Sequence, residues 1–326
     1  MIVPLLMSAG ETEMGLGMVE NVTVIGAGVM GHSLAQVFAQ KGYHVRLCDL
    51  NEAVLERAMG LIQSTLEFLV ESGHLPQKEI PAISSRIHPT KDLTEALDQT
   101  DFVIEAVSEV PEIKKALFSK LNALCSKDTV LASNTSGLDI FKIAEVDNPQ
   151  RLIITHWFSP PHIIPLVEIV PGEETSGEVI AFTKKIMESL GKKPIILNKF
   201  VPAFIVNRIQ NAINRAVFEL IENEWATPEN IDLAIKTTLG IRLPIVGVAQ
   251  SLDFAGLDLI NNINREVGTK SNFVEGRVRE GHLGAKTSKG IYDYQGRGEA
   301  EILKKRDRLY LEMLKHLEKI KAFEPV

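Results

Sequence analysis

The string Gly26-Ala27-Gly28-Val29-Met30-Gly31 limits what this chain can fold into more than any other segment. It follows a β-branched apolar run, residues 21–25, and leads into Met30, Leu34, Val37 and Phe38, which are spaced as one face of a helix. At a strand-to-helix turn the three glycines have separate tasks. Gly26 permits the tight turn, Gly28 lets backbone approach a pyrophosphate, and Gly31 lets the helix pack closely on the strand. The helix N-terminus then offers N–H groups and the positive end of its dipole to phosphates. Glycines crowd many turns, so the string needs its context. Asp49 closes a second apolar strand, residues 44–47, roughly 20 residues beyond Gly26, the spacing at which a carboxylate accepts from an adenosine ribose and repels a 2′-phosphate. That pattern predicts an NAD site. The competing reading of Asp49 is an N-cap for the helix that follows.

Beyond Asp49 a long helix is predicted from Leu55, Met59, Ile62, Leu66 and Leu69. Further strands are expected at residues 102–105, 129–132, 152–155, 166–170 and 194–197, with helical stretches between several of them. This alternation predicts a sheet covered on both faces and parallel at least in its first half. After Phe200 the strand pattern largely ceases. Phe204, Ile205, Ile209, Ile213, Val217, Leu220 and Ile221 form a helical stripe beginning just after Pro202, and later helices are expected at residues 230–238, 248–267 and 299–320. The fold class is therefore α/β, a Rossmann-like N-terminal domain at residues 18–200 followed by a mostly α-helical domain at residues 201–326.

A chain of 326 residues suits two domains of ordinary size. No apolar run approaches the roughly 20 residues that span a bilayer. A net charge of -7 without a long basic cluster argues against nucleic acid and anionic membranes as partners, which leaves a small-molecule substrate. Cys48 and Cys125 show neither metal-ligand spacing nor a disulfide framework, so a reducing, cytoplasmic compartment is expected and no metal site. Residues 1–17 carry Glu11 and Glu13 and no basic region, unlike a secretory signal, and are read as an extension outside the fold.

His156 ends the apolar run Arg151-Leu152-Ile153-Ile154-Thr155 and precedes Pro160 and Pro161. In an open α/β sheet, ligands lie beyond the carboxyl ends of strands. A histidine there is open to a structural or a catalytic reading. Glu168 stands inside Leu166-Val167-Glu168-Ile169-Val170, where a strand pattern calls for an apolar side chain. A carboxylate in that position costs several kcal/mol unless paired or at a wet edge. Pairing with His156 would fix the imidazole tautomer and leave the other ring nitrogen for a substrate hydroxyl. An edge strand with Glu168 in water is the alternative. Ser136 follows another strand end and Asn207 lies early in the first helix of the second domain; each could bond a reacting oxygen or serve as a cap or surface group.

With GAGVMG, DFVIEAVSE, SNTS, HWFSPPHIIPLVEIV, PAFIVNR, LDFAGLD and KTSKGIYDY in order, the chain resembles the 3-hydroxyacyl-CoA dehydrogenase family over about residues 20–295. The resemblance implies a helical second domain that builds a homodimer interface, a His-Glu pair at His156 and Glu168, and Ser136 and Asn207 as substrate-orienting partners. It also implies cofactor contacts at Glu109, Lys114, Ser136, Ser159 and Lys286. The implied reaction is NAD-dependent oxidation of an L-3-hydroxyacyl-CoA. Two positions depart from the family pattern. Ser159 stands where the family usually reads Asn, near the nicotinamide end. The helix after Asp49, which carries lysines for the CoA nucleotide in acyl-CoA members, has no Lys or Arg in residues 58–77 and carries Glu67 and Glu71. An acidic helix suits a phosphorylated adenosine poorly. The HIIPLVE wording is similar to the lambda-crystallin, gulonate dehydrogenase and carnitine dehydrogenase subgroup, whose substrates are free acids. A non-catalytic NAD-binding protein on the same scaffold is the third reading, and it offers no physical reason to keep a buried His-Glu pair.

Overall fold

In the computed structural model the described residues are 19–324, so the extension at residues 1–17 lies outside them. The chain divides into two compact units, one ending at Ala212 and the other beginning at Ile213.

The first unit alternates strands and helices. β1 (Asn21–Ile25), α1 (Gly31–Gln40), β2 (His44–Cys48) and α2 (Glu52–Glu71) form the opening βαβα. Then come α3 (Ile80–Ser84), β3 (Ile87–Thr90), α4 (Leu93–Leu97), β4 (Phe102–Glu105), α5 (Pro111–Leu124) and β5 (Val130–Ser133). The rest is α6 (Ile140–Ile143), β6 (Leu152–Trp157), β7 (Leu166–Pro171), α7 (Gly177–Ser189) and β8 (Lys193–Ile196). The strands make one sheet in the order β3-β2-β1-β4-β5-β6-β7-β8. Every neighbouring pair is parallel except β6–β7, which is antiparallel.

Strand alternation divides the core into two layers, one on each face of the sheet. Val22, Val24, Phe102, Ile104, Ile153 and Trp157 pack with α1, α2 and α7, while Val103, Ile154 and Val170 pack with Phe118, Leu121, Ile140 and Phe204. β3 was not among the expected strands. It reads Ile-His-Pro-Thr, and Pro89 is tolerated because the strand is the sheet's edge.

The predicted stripe after Pro202 forms α8 (Val206–Glu222), which crosses the division between the units. The second unit contains α9 (Pro228–Thr237), α10 (Leu239–Ala255), α11 (Leu257–Glu266), α12 (Asn272–Arg279) and α13 (Glu299–Lys319). The stretch expected as helix at residues 248–267 breaks at Gly256, whose φ of 93° ends α10 and starts α11. Buried Asp253 accepts from the N–H groups of Ile291 and Tyr292 and from the Tyr294 hydroxyl, so the LDFAGLD and KTSKGIYDY segments are joined by one carboxylate. No single helix among the described residues is long and apolar enough to cross a membrane.

Candidate active site

The register of β6 and β7 sets His156 directly opposite Glu168. Both side chains point to the same face as Ile154, Val170 and Phe204, because residues two apart on a strand share a face. The imidazole Nδ1 lies 2.7 Å from Glu168 Oε2, and the two residues are 3% and 0% exposed. The second carboxylate oxygen, Oε1, accepts the N–H groups of Ile205 and Val206, each at 3.0 Å. Glu168 thus answers two of the unpaired amides at the start of α8 as well as the histidine. The wet-edge alternative for Glu168 is excluded by this burial. A carboxylate oxygen can only accept, so Nδ1 is the ring nitrogen that donates to Glu168, and Nε2 is left for a further partner. Nε2 makes no hydrogen bond among the described residues. The rings of Phe158 and Phe204 flank the imidazole with centroids at 4.5 and 5.2 Å.

The turn that delivers those amides is unusual. Ala203 and Phe204 both have left-handed backbone, φ 64° and 49°, although neither is glycine. Such residues store of order 1–3 kcal/mol each and persist where surrounding contacts impose them. Here the contacts are the full burial of Phe204 and the Glu168 bonds one residue later.

Ser136 and Asn207 meet in the same region. The Asn207 side-chain amide donates to the Ser136 carbonyl at 3.3 Å, and the Ser136 N–H donates to Glu109 Oε1 at 2.8 Å. Glu109 also accepts from the Thr135 hydroxyl at 2.5 Å and lies 3.2 Å from the Lys114 ammonium group. Burial pushes the Glu109 carboxyl up, but the Thr135 hydrogen bond, the Lys114 charge and the Ser136 N–H together outweigh it and hold the pKa below the ordinary value. Lys114 is buried and bridges Glu109 to Glu105 at 2.5 Å. Its charge is therefore directed to two carboxylates, and it supports the Thr135-Ser136 turn through Glu109.

Glu105 was not singled out from the sequence. It is fully buried at the end of β4, bonding the Ser133 hydroxyl at 2.6 Å and the Val107 N–H at 2.8 Å besides Lys114. The signal was available: a carboxylate ending the apolar run Phe-Val-Ile is the same anomaly that marks Glu168. Asn134 completes the loop by accepting the Trp157 N–H at 2.9 Å, tying the end of β5 to the residue after His156.

The dinucleotide turn has the shape its glycines predict. A Cβ on Gly31 would sit 1.6 Å from the Gly26 carbonyl oxygen, and one on Gly26 would sit 2.5 Å from that of Ala106. A Cβ on Gly28 would meet nothing within 4 Å, so this is the open side of the cradle. α1 has Met30 as its N-cap with no side-chain cap hydrogen bond and no acidic residue in its first turn, which leaves its amide end to an anion. Val29 is 75% exposed beside it. Asp49 braces the turn: Oδ2 accepts the Ala27 N–H at 2.9 Å and Oδ1 that of Asn51 at 3.0 Å. The N-cap of α2 is Asn51, so the capping alternative for Asp49 does not hold. The residues of this turn fit a dinucleotide pyrophosphate. Ser159 is exposed in the loop after β6. Lys286 belongs to the second unit, where its ammonium group pairs with Asp258 at 2.6 Å.

The NAD binding domain of 3-hydroxyacyl-CoA dehydrogenase matches residues 21–200, and the C-terminal domain of the same enzyme matches residues 204–294. The chain is 30% identical to 5-formyl-3-hydroxy-2-methylpyridine 4-carboxylate 5-dehydrogenase of Mesorhizobium japonicum, across 85% of this chain and 91% of the relative. It is 34% identical to 3-hydroxyadipyl-CoA dehydrogenase of Escherichia coli over 87% of its own length, but spans only 61% of that larger protein. Among solved structures, 3-hydroxyacyl-CoA dehydrogenase of Archaeoglobus fulgidus superimposes with a TM-score of 0.75 at 30% identity, covering 94% of this chain and 100% of the other. The chain belongs to the 3-hydroxyacyl-CoA dehydrogenase family of NAD-binding oxidoreductases.

Proposed function

We propose that the protein oxidises the 3-hydroxyl of an L-3-hydroxyacyl-CoA of 3-hydroxybutyryl-CoA type, with His156 as proton acceptor. The observation that carries this reading is the 2.7 Å contact between His156 Nδ1 and Glu168 Oε2 with Nε2 left free. In the oxidation direction Nε2 takes the hydroxyl proton. Glu168 then holds the imidazolium through a charge-assisted hydrogen bond, and its fixed position removes the need for the ring to reorient. Ser136 and Asn207 are assigned to the substrate oxygens, in a turn braced by Glu109, Lys114 and Glu105. Bound NAD supplies the hydride acceptor. Gly26, Gly28, Val29, Met30 and Gly31 would hold its pyrophosphate and Asp49 its adenosine ribose, with Ser159 and Lys286 as further contacts taken from the family. In reverse, the imidazolium returns its proton to the forming alcohol oxygen.

One observation favours a second substrate class. The solvent face of α2 carries Gln63, Glu67 and Glu71 together with exposed Leu61 and Phe68, and no Lys or Arg occurs in residues 58–77. A free 3-hydroxy acid makes no demand on that face, whereas a CoA nucleotide does. The Mesorhizobium relative, named for a pyridine carboxylate, fits the same alternative. Turnover of NADH with acetoacetyl-CoA, free acetoacetate and a panel of polyol acids separates the classes. Equal rates with and without the CoA group overturn the thioester assignment. Absence of turnover on the whole panel, with NADH still bound, points to a non-catalytic binding protein.

The assembly proposed is a homodimer. Exposed Ile209, Ile213, Phe218 and Ile221 along α8 supply the apolar surface that such a contact needs. A cytoplasmic enzyme with a domain boundary at residue 200 is the corresponding reading of the whole chain.

A further inference from the structure

Lys192 is 8% exposed, lies between α7 and β8, and takes no part in the chemistry above. Its ammonium group donates to the carbonyl oxygens of Pro161 and Ile164, the latter at 3.0 Å, and sits 5.5 Å from the centre of the Trp157 ring. It makes no ion pair among the described residues. A buried lysine without a carboxylate is costly, and this one directs its charge at the backbone of a single loop. That loop follows His156-Trp157-Phe158 and contains Ser159. Its backbone is already turned by the N–H groups of Ile163 and Ile164, both donating to Pro160 O at 3.0 Å.

We propose that Lys192 is a positioning residue of the cofactor side of the site: by holding the Pro161 and Ile164 carbonyls it fixes the 159–165 loop, and hence Ser159, relative to His156. The proposal rests on the hydride-transfer reading for its kinetic consequence, but the latch itself is a property of the chain alone. Hydrogen bonds from a cation to a carbonyl are stronger than those from a neutral amine. Burial first, and the charge of Lys41 at the end of α1 second, push Lys192 down to about 8. The facing loop contributes His162, which is itself lowered by burial, by His32 in the first turn of α1 and by Lys192. Lys41, His162 and His32 are thus the titratable neighbours, all of them bases, and none can replace the charge that Lys192 loses above about pH 8. The loop should loosen as pH rises through that value.

The test uses the full chain. The sequence has two tryptophans, so Trp225→Phe leaves Trp157 as the emitter. Its emission is expected to change between about pH 7 and pH 9 as the cation over the indole is discharged, and Lys192→Met on that background is expected to abolish the change. In kinetics, Lys192→Met is expected to raise the KM for NADH roughly five- to tenfold with less than about a twofold effect on kcat, as for loss of charge-assisted hydrogen bonds to a loop. The unsubstituted enzyme should approach that KM as pH rises past 8. Lys192→Arg, which stays charged, should restore the low KM and remove its alkaline rise. An emission change that survives Lys192→Met overturns the proposal, as does a folded Lys192→Met protein with unaltered KM and pH profile, or an alkaline rise that persists in Lys192→Arg. Failure of the His156 assignment would show separately, as turnover in His156→Gln, and would leave the emission titration unchanged.

Discussion

His156 and Glu168 are Cα partners across the antiparallel β6–β7 pair, and their side chains meet at 2.7 Å on a face otherwise filled by Ile154, Val170 and Phe204. An ionisable pair so deeply enclosed is stable only while both members remain. His156→Gln should lower kcat by roughly 10²–10⁴-fold, the usual contribution of a positioned acid or base, with NADH binding nearly unchanged. Glu168→Gln should lower both turnover and stability. One amide cannot accept from the histidine and from the two α8 amides together, and a buried donor left unpaired costs about 1–3 kcal/mol. Steady-state rates with NADH titrations by fluorescence check the first variant. Near-normal turnover in His156→Gln would remove the histidine from the mechanism.

Two glycines of one turn should behave oppositely. Gly31→Ala places a Cβ 1.6 Å from the Gly26 oxygen, so backbone must move, and a loss of about 3 kcal/mol or more is expected. Gly28→Ala meets no protein atom, so the fold should be untouched while NADH affinity drops. Thermal melts paired with NADH titrations decide it. A stable Gly31→Ala protein, or a Gly28→Ala protein that binds NADH normally, contradicts this account.

Asp49 joins cofactor choice to the shape of the turn. If Asp49 faces the adenosine ribose as proposed, Asp49→Ser removes a charge that would repel a 2′-phosphate, and it weakens the brace on Ala27. The ratio of NADPH to NADH efficiency should rise about tenfold or more, mostly through poorer use of NADH. An unchanged ratio of kcat/KM for the two cofactors would show that the carboxylate does not face the ribose.

Glu109 predicts a pH dependence of stability. Its folded pKa lies below the ordinary glutamate value, so its stabilising contribution is complete above the unfolded value of about 4.3. It is lost as pH falls through the lowered folded value. Urea midpoints of the unsubstituted protein and Glu109→Gln should therefore differ most at about pH 7, the difference shrinking as pH falls below the unfolded value. A difference that does not vary with pH contradicts the assignment. Because Glu109 accepts from the Ser136 N–H, the variant should also turn over more slowly at pH values where its fold is intact.

Features carried by local pattern were legible in the sequence. The strand-glycine-helix unit, the apolar period of α2 and the misplaced carboxylate of Glu168 all declare themselves within a few residues. What escaped depends on tertiary neighbours. β3 is a strand because it pairs with β2, despite Pro89, whose missing N–H faces no partner strand at an edge. Glu105 and Lys114 are nine positions apart, on a strand and a helix, and nothing in either segment announces their contact. The break at Gly256 interrupts an apolar periodicity that runs on through it. The second oxygen of Glu168 could not be read at all, since its partners are backbone amides brought round by the turn at Ala203 and Phe204.

That turn carries a wider consequence. Connectors between secondary-structure elements ordinarily absorb an added or missing residue at small cost. The link from β8 to α8 has no such freedom. Changing its length by one residue would withdraw the amides of 205 and 206 from the carboxylate that is bonded to His156 and, in the proposed mechanism, orients it. Insertions and deletions across residues 197–205 should consequently abolish catalysis in proteins that still fold, and relatives that keep this chemistry should keep the connector's length even where its sequence drifts.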